Sequence, residues 1–435
     1  MSMIWADAPL AGPRSRRITW TLTFVAFLAY TFIIVTFRLP VATVVAAIAI
    51  LSLFLQRDAL RAPHFLWLYA AWVGWGILGY AVTPYPDQVR ASLIEHGKVV
   101  LVTLVAVNAL RTVPQVRGFM LFLLASYIVF PVRSTLVNYA TGYTLSGRAI
   151  GPAFYQNPNE LAALTILMLG LALALWAGAS RRSPLRWIGL VSAALCVVTI
   201  LLTQSRGAVL ALTGMALLTG VALARHRPRV LLGFAAVVGL ALYLAPAGLW
   251  ERLGGLRNAT SVETIGAMDP EGSARERFAV LQTAARIVVD HPLFGVGLGA
   301  YTLANADYNP ATGRKDTHNT YLNVAAEAGL PGLILFVALV TNVLRSARNA
   351  RRRARLVSPA QAEMLRWLQY GVIGYLIAGV FDSFSSLTFP FIFFGVIWSA
   401  SQATGTEGPP ASTSDAPLGW PDQITINQRL GGGVS

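Results

Sequence analysis

Charge is what this 435-residue sequence has least of: 12% of its residues are Asp, Glu, Lys or Arg, against about 25% in a typical soluble domain. It has a single cysteine, Cys196, set in an apolar run, which excludes a disulfide framework and a thiolate metal site. Its five histidines form no HxxxH pair and no His/Cys cluster, so zinc-ligand spacing is absent. Short segments of alternating polarity, the mark of a transmembrane barrel, are missing too. The glycine-rich stretch Asp290–Gly299 lacks the strand–turn–helix context of a nucleotide loop. Its simplest reading is a tight turn that lets backbone pack closely, with His291 and Pro292 serving structure.

What is present is apolar sequence in long blocks. Hydrophobic residues make up 55% of the chain, and the mean hydropathy is +0.58. A block of about 18 or more uncharged residues crosses a hydrocarbon core of about 30 Å as a helix. Such blocks fall at roughly 18–37, 40–55, 64–82, 97–110, 117–131, 161–179, 185–203, 206–224, 229–246, 320–344, 365–381 and 386–402. The expected fold class is therefore an all-α polytopic membrane protein of about twelve transmembrane helices. The first block follows Arg14, Arg16 and Arg17 and is long enough to be a retained span rather than a cleaved signal.

Arginine placement orients the spans. Arg14/16/17, Arg57/61, Arg111/117, Arg181/182/186, Arg225/227/229, Arg345, Arg348, Arg351, Arg352, Arg353, Arg355, Arg366 and Arg429 all fall on one side. That side holds 21 of the 34 basic residues and only 6 of the 19 acids, so it carries the whole net charge of +15 and the other side is neutral. The basic side is expected to be cytoplasmic, with both termini on it. This excess is topological, and no basic–aromatic module accompanies it, which argues against nucleic-acid binding. The run Arg345–Arg355 is most simply an anchor beside anionic lipid.

Residues 1–402 are expected to form the helical membrane domain. Within it, 247–320 is an external loop subdomain, in which Ala274–Val289 shows apolar positions at helical spacing and predicts an amphipathic helix. Residues 403–435 read as a disordered cytoplasmic tail. Two further external segments stand out, 83–96 and 132–160.

Four external clusters could carry chemistry. Arg206, in Gln204-Ser205-Arg206-Gly207, lies at a short turn between spans; it is either an ordinary interfacial arginine or a functional charge facing the bundle. Arg275 and Arg277 flank Glu276 at the start of the loop helix, where a solvated helix start is the plain alternative. The glycine stretch is the third. In the fourth, Thr317-His318-Asn319-Thr320-Tyr321-Leu322, the histidine could cap a helix or move a proton.

The ordered set resembles the O-antigen ligase and polymerase superfamily of bacterial membrane glycosyltransferases. The matching pieces are Arg277, the helix after it, His291-Pro292-Leu293-Phe294-Gly295-Val296-Gly297, His318-Asn319-Thr320-Tyr321-Leu322 and Gly329-Leu330-Pro331-Gly332. Upstream, Asn157-Pro158-Asn159-Glu160-Leu161-Ala162 and Ser205-Arg206-Gly207 fit as well, so the motifs span about 145–345. The chain departs from the pattern at Leu281, where relatives commonly have Trp.

The resemblance implies a fold similar to the C-type glycosyltransferases and a periplasmic-face reaction. Glycan would move from undecaprenyl pyrophosphate to lipid A–core, without cofactor, metal or nucleotide, and with inversion at the anomeric carbon. It implies Arg206 and Arg277 as cations meeting the pyrophosphate, with Arg275 an alternative to Arg277, and His318 as either the general base or a residue that orients the acceptor or the phosphates. Arg148, Asn157, Asn159, Arg275, Asn319 and Tyr321 are implied as substrate-binding residues. A polymerase of the same superfamily would instead use a second lipid-linked repeat unit as acceptor. A lipid-linked sugar transporter would show paired half-repeats and acids at membrane depth. No repeat is evident, and the nearest acid, Asp382, reads as lining an external turn.

Overall fold

The computed structural model describes residues 18–226 other than 38 and 57, isolated positions within 232–243, and residues 245–254, 273–383 and 389–403. Both termini, the tail 403–435 apart from its first residue, and most of the expected span at 229–246 lie outside the described residues.

The chain is an all-α polytopic membrane protein. Its helices are α1 (Leu22–Thr36), α2 (Val41–Ser52), α3 (His64–Tyr80), α4 (Pro86–Ala109), α5 (Val113–Tyr127), α6 (Arg133–Ala140), α7 (Pro158–Gly178), α8 (Pro184–Leu202), α9 (Arg206–His226), α10 (Ala247–Gly254), α11 (Ser273–Asp290), α12 (Tyr301–Tyr308), α13 (Thr320–Val357), α14 (Pro359–Ala378) and α15 (Phe389–Ala403). Among the described residues, five stretches are long and apolar enough to cross a bilayer: α4, α5 continued through α6, α7, α8 and α13. Starts are set locally. Proline occupies the first turn of α4, α5, α7, α8 and α14, where its missing N–H costs nothing. Thr112 and Gln115 form a capping box on α5.

Packing ties the expected basic side together at one end of the bundle. Arg111 donates to Ala59 O at 2.9 Å and pairs with Asp58, and Gln115 reaches Thr19 O at 2.8 Å. Arg117 reaches Gly178 O at 3.5 Å, next to Met364 of α14, and Gln369 donates to Leu344 O. Inside the bundle α7 and α14 meet backbone to backbone: a β-carbon on Gly170 would stand 2.6 Å from Gly371 Cα. Small residues at such crossings gain dispersion contacts that larger ones would block.

Two of the expected external segments differ from expectation. The stretch 83–96 is not loop: α4 begins at Pro86, eleven residues before the expected span. The exposed pairs Asp87–Arg90 and Glu95–Lys98 occupy its polar face, while Val89 and Leu93 pack on the loop subdomain. Segment 132–160 begins with continued helix, because a widened π turn at Ile128–Val132 accommodates Pro131 and carries α5 into α6. An antiparallel hairpin follows, β1 (Thr144–Leu145) with β2 (Arg148–Ala149).

The loop subdomain has its own small core of Val89, Val280, Ala284, Ile287, Val296, Tyr301, Ala304 and Ala326. The amphipathic helix expected at 274–289 is α11. The glycine stretch lies directly on α13: Val296 N donates to Ala326 O and Gly297 N to Glu327 O, both at 2.9 Å. No side chain fits there, since a β-carbon on Gly295 would strike Ala326 O and Glu327. Against the expectation of one continuous span from 320, α13 breaks at Gly329 (φ 71°), which sits under the Pro292 and Leu293 carbonyls. Leu330 N then donates to Pro292 O at 2.8 Å and Trp75 Nε1 to Ala328 O at 3.0 Å. Thr320–Ala328 is thus a half-helix docked to the loop.

Candidate active site

Two strained turns meet at the end of the bundle opposite the arginine-rich one. Each holds a non-glycine residue in the left-handed region: Gln204 at φ 51° and His318 at φ 53°. Such backbone costs of the order of 1 kcal/mol and survives only where surrounding contacts over-determine it.

At the first turn, between α8 and α9, the hairpin is the clamp. Arg148, buried, donates through Nε to Thr203 O at 2.9 Å and through Nη2 to Asn159 Oδ1 at 2.6 Å. Gln204 Nε2 returns a bond to Gly147 O at 3.0 Å. Asn157 Oδ1 caps α7 by accepting from Asn159 N at 2.9 Å, and its Nδ2 reaches Glu160 Oε1 at 3.1 Å. The product is a rigid seat for Arg206, the first residue of α9, half-buried where helix amides point outward.

At the second turn, residues 316–320 zip onto 379–383. Thr320 N donates to Gly379 O at 2.7 Å, Thr320 Oγ1 to Asp382 O at 2.8 Å and Asn319 Nδ2 to Val380 O at 3.1 Å. Thr317 and Ser383 share a short hydroxyl bond. Asn319 Oδ1 caps the half-helix by accepting from Leu322 N, and Tyr321 OH donates inward to Leu376 O at 3.0 Å. Held this way, His318 presents Nδ1 to Asp382 Oδ1 at 3.3 Å. The imidazole is 28% exposed and the carboxylate 4%. The other oxygen of Asp382 is buried without a hydrogen-bond partner among the described residues. Asp316 closes the far side, bonded to Thr317 N and the Ser383 side chain, and burial raises its carboxyl above the usual range.

The turns touch. A β-carbon on Gly207 would lie 2.8 Å from Cβ of Phe381, so Arg206 and Asp382 each flank one contact. The loop helix approaches the second turn. Glu276 pairs with Lys315 at 3.3 Å, which brings the start of α11 beside the segment leading to His318. Arg277 shares the helix face of the buried residues Val280, Ala284 and Ile287 and is half-buried; Arg275 lies on the exposed face with Gln282 and Arg286.

Of the residues singled out in the sequence, the structure gathers Arg148, Asn157, Asn159 and Arg206 at one turn and His318, Asn319 and Tyr321 at the other. Asp382 was read only as lining a turn. It does line one, and its tie to His318 crosses 64 residues of sequence, which no local pattern displays.

This is a multi-pass membrane protein with a polar, arginine-bearing site built between two tightly tied turns and a docked loop. Residues 191–337, a third of the chain, match the family model described as O-antigen ligase. That match carries Arg206, Arg275, Arg277, His318, Asn319 and Tyr321 and supports the O-antigen ligase and polymerase superfamily. It is consistent with a glycosyl-transfer-type enzyme in a bacterial membrane and with lipid bilayer and lipid-linked glycan partners. No curated protein matches the chain.

Proposed function

We propose that the chain is a ligase that moves O-antigen polysaccharide from undecaprenyl pyrophosphate to lipid A–core at the periplasmic face of the inner membrane. The observation that carries this reading is the Gly207–Phe381 contact, which sets a helix-start arginine against a histidine–carboxylate pair. In the proposed reaction an acceptor hydroxyl attacks the anomeric carbon from the face opposite the pyrophosphate. The C1–O bond breaks, and the pyrophosphate leaves with the electron pair. Nδ1–H of His318 donates to Asp382, which leaves Nε2 as the acceptor for the hydroxyl proton; the carboxylate stabilises the imidazolium so formed. Arg206 and Arg277 meet the charge growing on the phosphates, in the bidentate manner that suits guanidinium.

Arg148, Asn157, Asn159, Asn319 and Tyr321 enter this scheme as positioning residues, since their polar atoms bind backbone and one another. Arg277 is preferred to Arg275 because it lies on the inward face of α11. The deciding experiment is the lipopolysaccharide ladder of a deletion strain. A ligase predicts loss of all polymer bands while polymer accumulates on the lipid carrier. A single-repeat band would make the same site a polymerase.

A further inference from the structure

A groove of about 560 Å³ opens between α3 and α13, remote from the site above. That volume lies within the roughly 300–1,000 Å³ typical of ligand pockets. Its wall is apolar along Leu68, Leu333, Ile334, Val337 and Ala338, and it ends in His64, Thr341, Asn342 and Arg345. None of these four polar side chains makes a hydrogen bond or ion pair with another described residue, although other polar groups at this end do.

The groove runs lengthwise. Leu333 and Arg345 are twelve residues apart on one helix, about 18 Å at 1.5 Å per residue. One leaflet of a hydrocarbon core of about 30 Å is about 15 Å deep. The polar end belongs to the arginine-rich end of the bundle: His64 follows Arg61, whose backbone carbonyl is bonded to Asn108, and Leu344 O is bonded to Gln369. An open apolar groove about one leaflet long, ending at an arginine with neighbouring amide and hydroxyl groups, has the shape and charge of one lipid. We infer that this groove binds an anionic glycerophospholipid of the leaflet at the arginine-rich end, its acyl chain along Leu68–Val337 and its phosphate on Arg345, Asn342 and Thr341. A zwitterionic lipid fills the channel equally well but brings a compensating cation to an already cationic end.

The test uses the full chain purified in detergent, with phosphatidylglycerol, phosphatidylcholine of the same acyl chains, or inorganic phosphate added. Retained lipid is read by native mass spectrometry and stability by thermal unfolding. The expected result is one retained phosphatidylglycerol with a dose-dependent rise in Tm. Phosphatidylcholine should be held at least tenfold more weakly, and phosphate should have no effect. Arg345→Ala should cost tenfold or more in retention and Arg345→Lys much less, while Ala338→Trp should block the channel for both lipids. Equal retention of the two lipids, unchanged retention in Arg345→Ala, or the same shift from phosphate alone would each overturn the assignment. Should Arg345→Ala not fold, the headgroup comparison on the unmodified protein and Ala338→Trp still decide it.

Discussion

Gly207 lies directly beneath Phe381, so close that a β-carbon on the glycine would be 2.8 Å from that of the phenylalanine. The contact joins segments 174 residues apart and fixes the spacing between Arg206 on one side and Asp382 on the other. Gly207→Ala must push the two turns apart. It is expected to lower glycan transfer at least tenfold at unchanged protein level, and Phe381→Gly in the same chain, which removes the opposing β-carbon, should recover part of the loss. Transfer measured in a double-mutant cycle checks this; strictly additive losses would show that the contact does not set the spacing.

Asp382→Asn keeps the shape of the side chain but removes the charge that stabilises a protonated His318. The expected loss is about a hundredfold in turnover, the scale of a general base, with little change in apparent donor affinity. Steady-state kinetics in liposomes separate the two quantities. A variant that lost affinity and kept turnover would assign the pair to binding.

The two loop arginines should differ. Removing one preorganised cation from the pyrophosphate is expected to cost about 3 kcal/mol, on the order of a hundredfold in rate. Arg206→Ala and Arg277→Ala should both show it, whereas Arg275→Ala, on the exposed face of α11, should change transfer by less than about threefold, or 0.65 kcal/mol. Surface glycan quantified against membrane protein level reads all three. Activity should also survive EDTA.

Asp316 gives a pH dependence of stability. Burial raises its carboxyl pKa in the folded state, so the fold favours the protonated form. Its contribution is most favourable below the unfolded value of about 3.9 and is lost as pH rises through the folded value. Asp316→Asn should therefore raise Tm at pH 7, and the gain should shrink steadily as pH is lowered toward 4. Parallel thermal melts of the two proteins across that range test the sign.

Much of this was legible in the sequence because its cause is local or additive. The all-α membrane class follows from apolar run length, and α11 from the spacing of Val280, Ala284 and Ile287. What stayed hidden depends on partners distant in sequence. The half-helix at Thr320–Ala328 exists because the carbonyls of Ala326 and Glu327 bond the glycine loop. The early start of α4 reflects a second core that needs Val89 and Leu93, and their neighbours look merely polar. Asp382 looked like a turn acid because its histidine comes from another segment.

The break at Gly329 also decides how the loop can open. Carbonyls that would have closed the last turn of a continuous helix are spent on Val296, Gly297 and Trp75. Loop and half-helix therefore share one set of amides and should exchange their hydrogens as a single cooperative unit. Lifting the glycine loop would uncap the segment that presents His318.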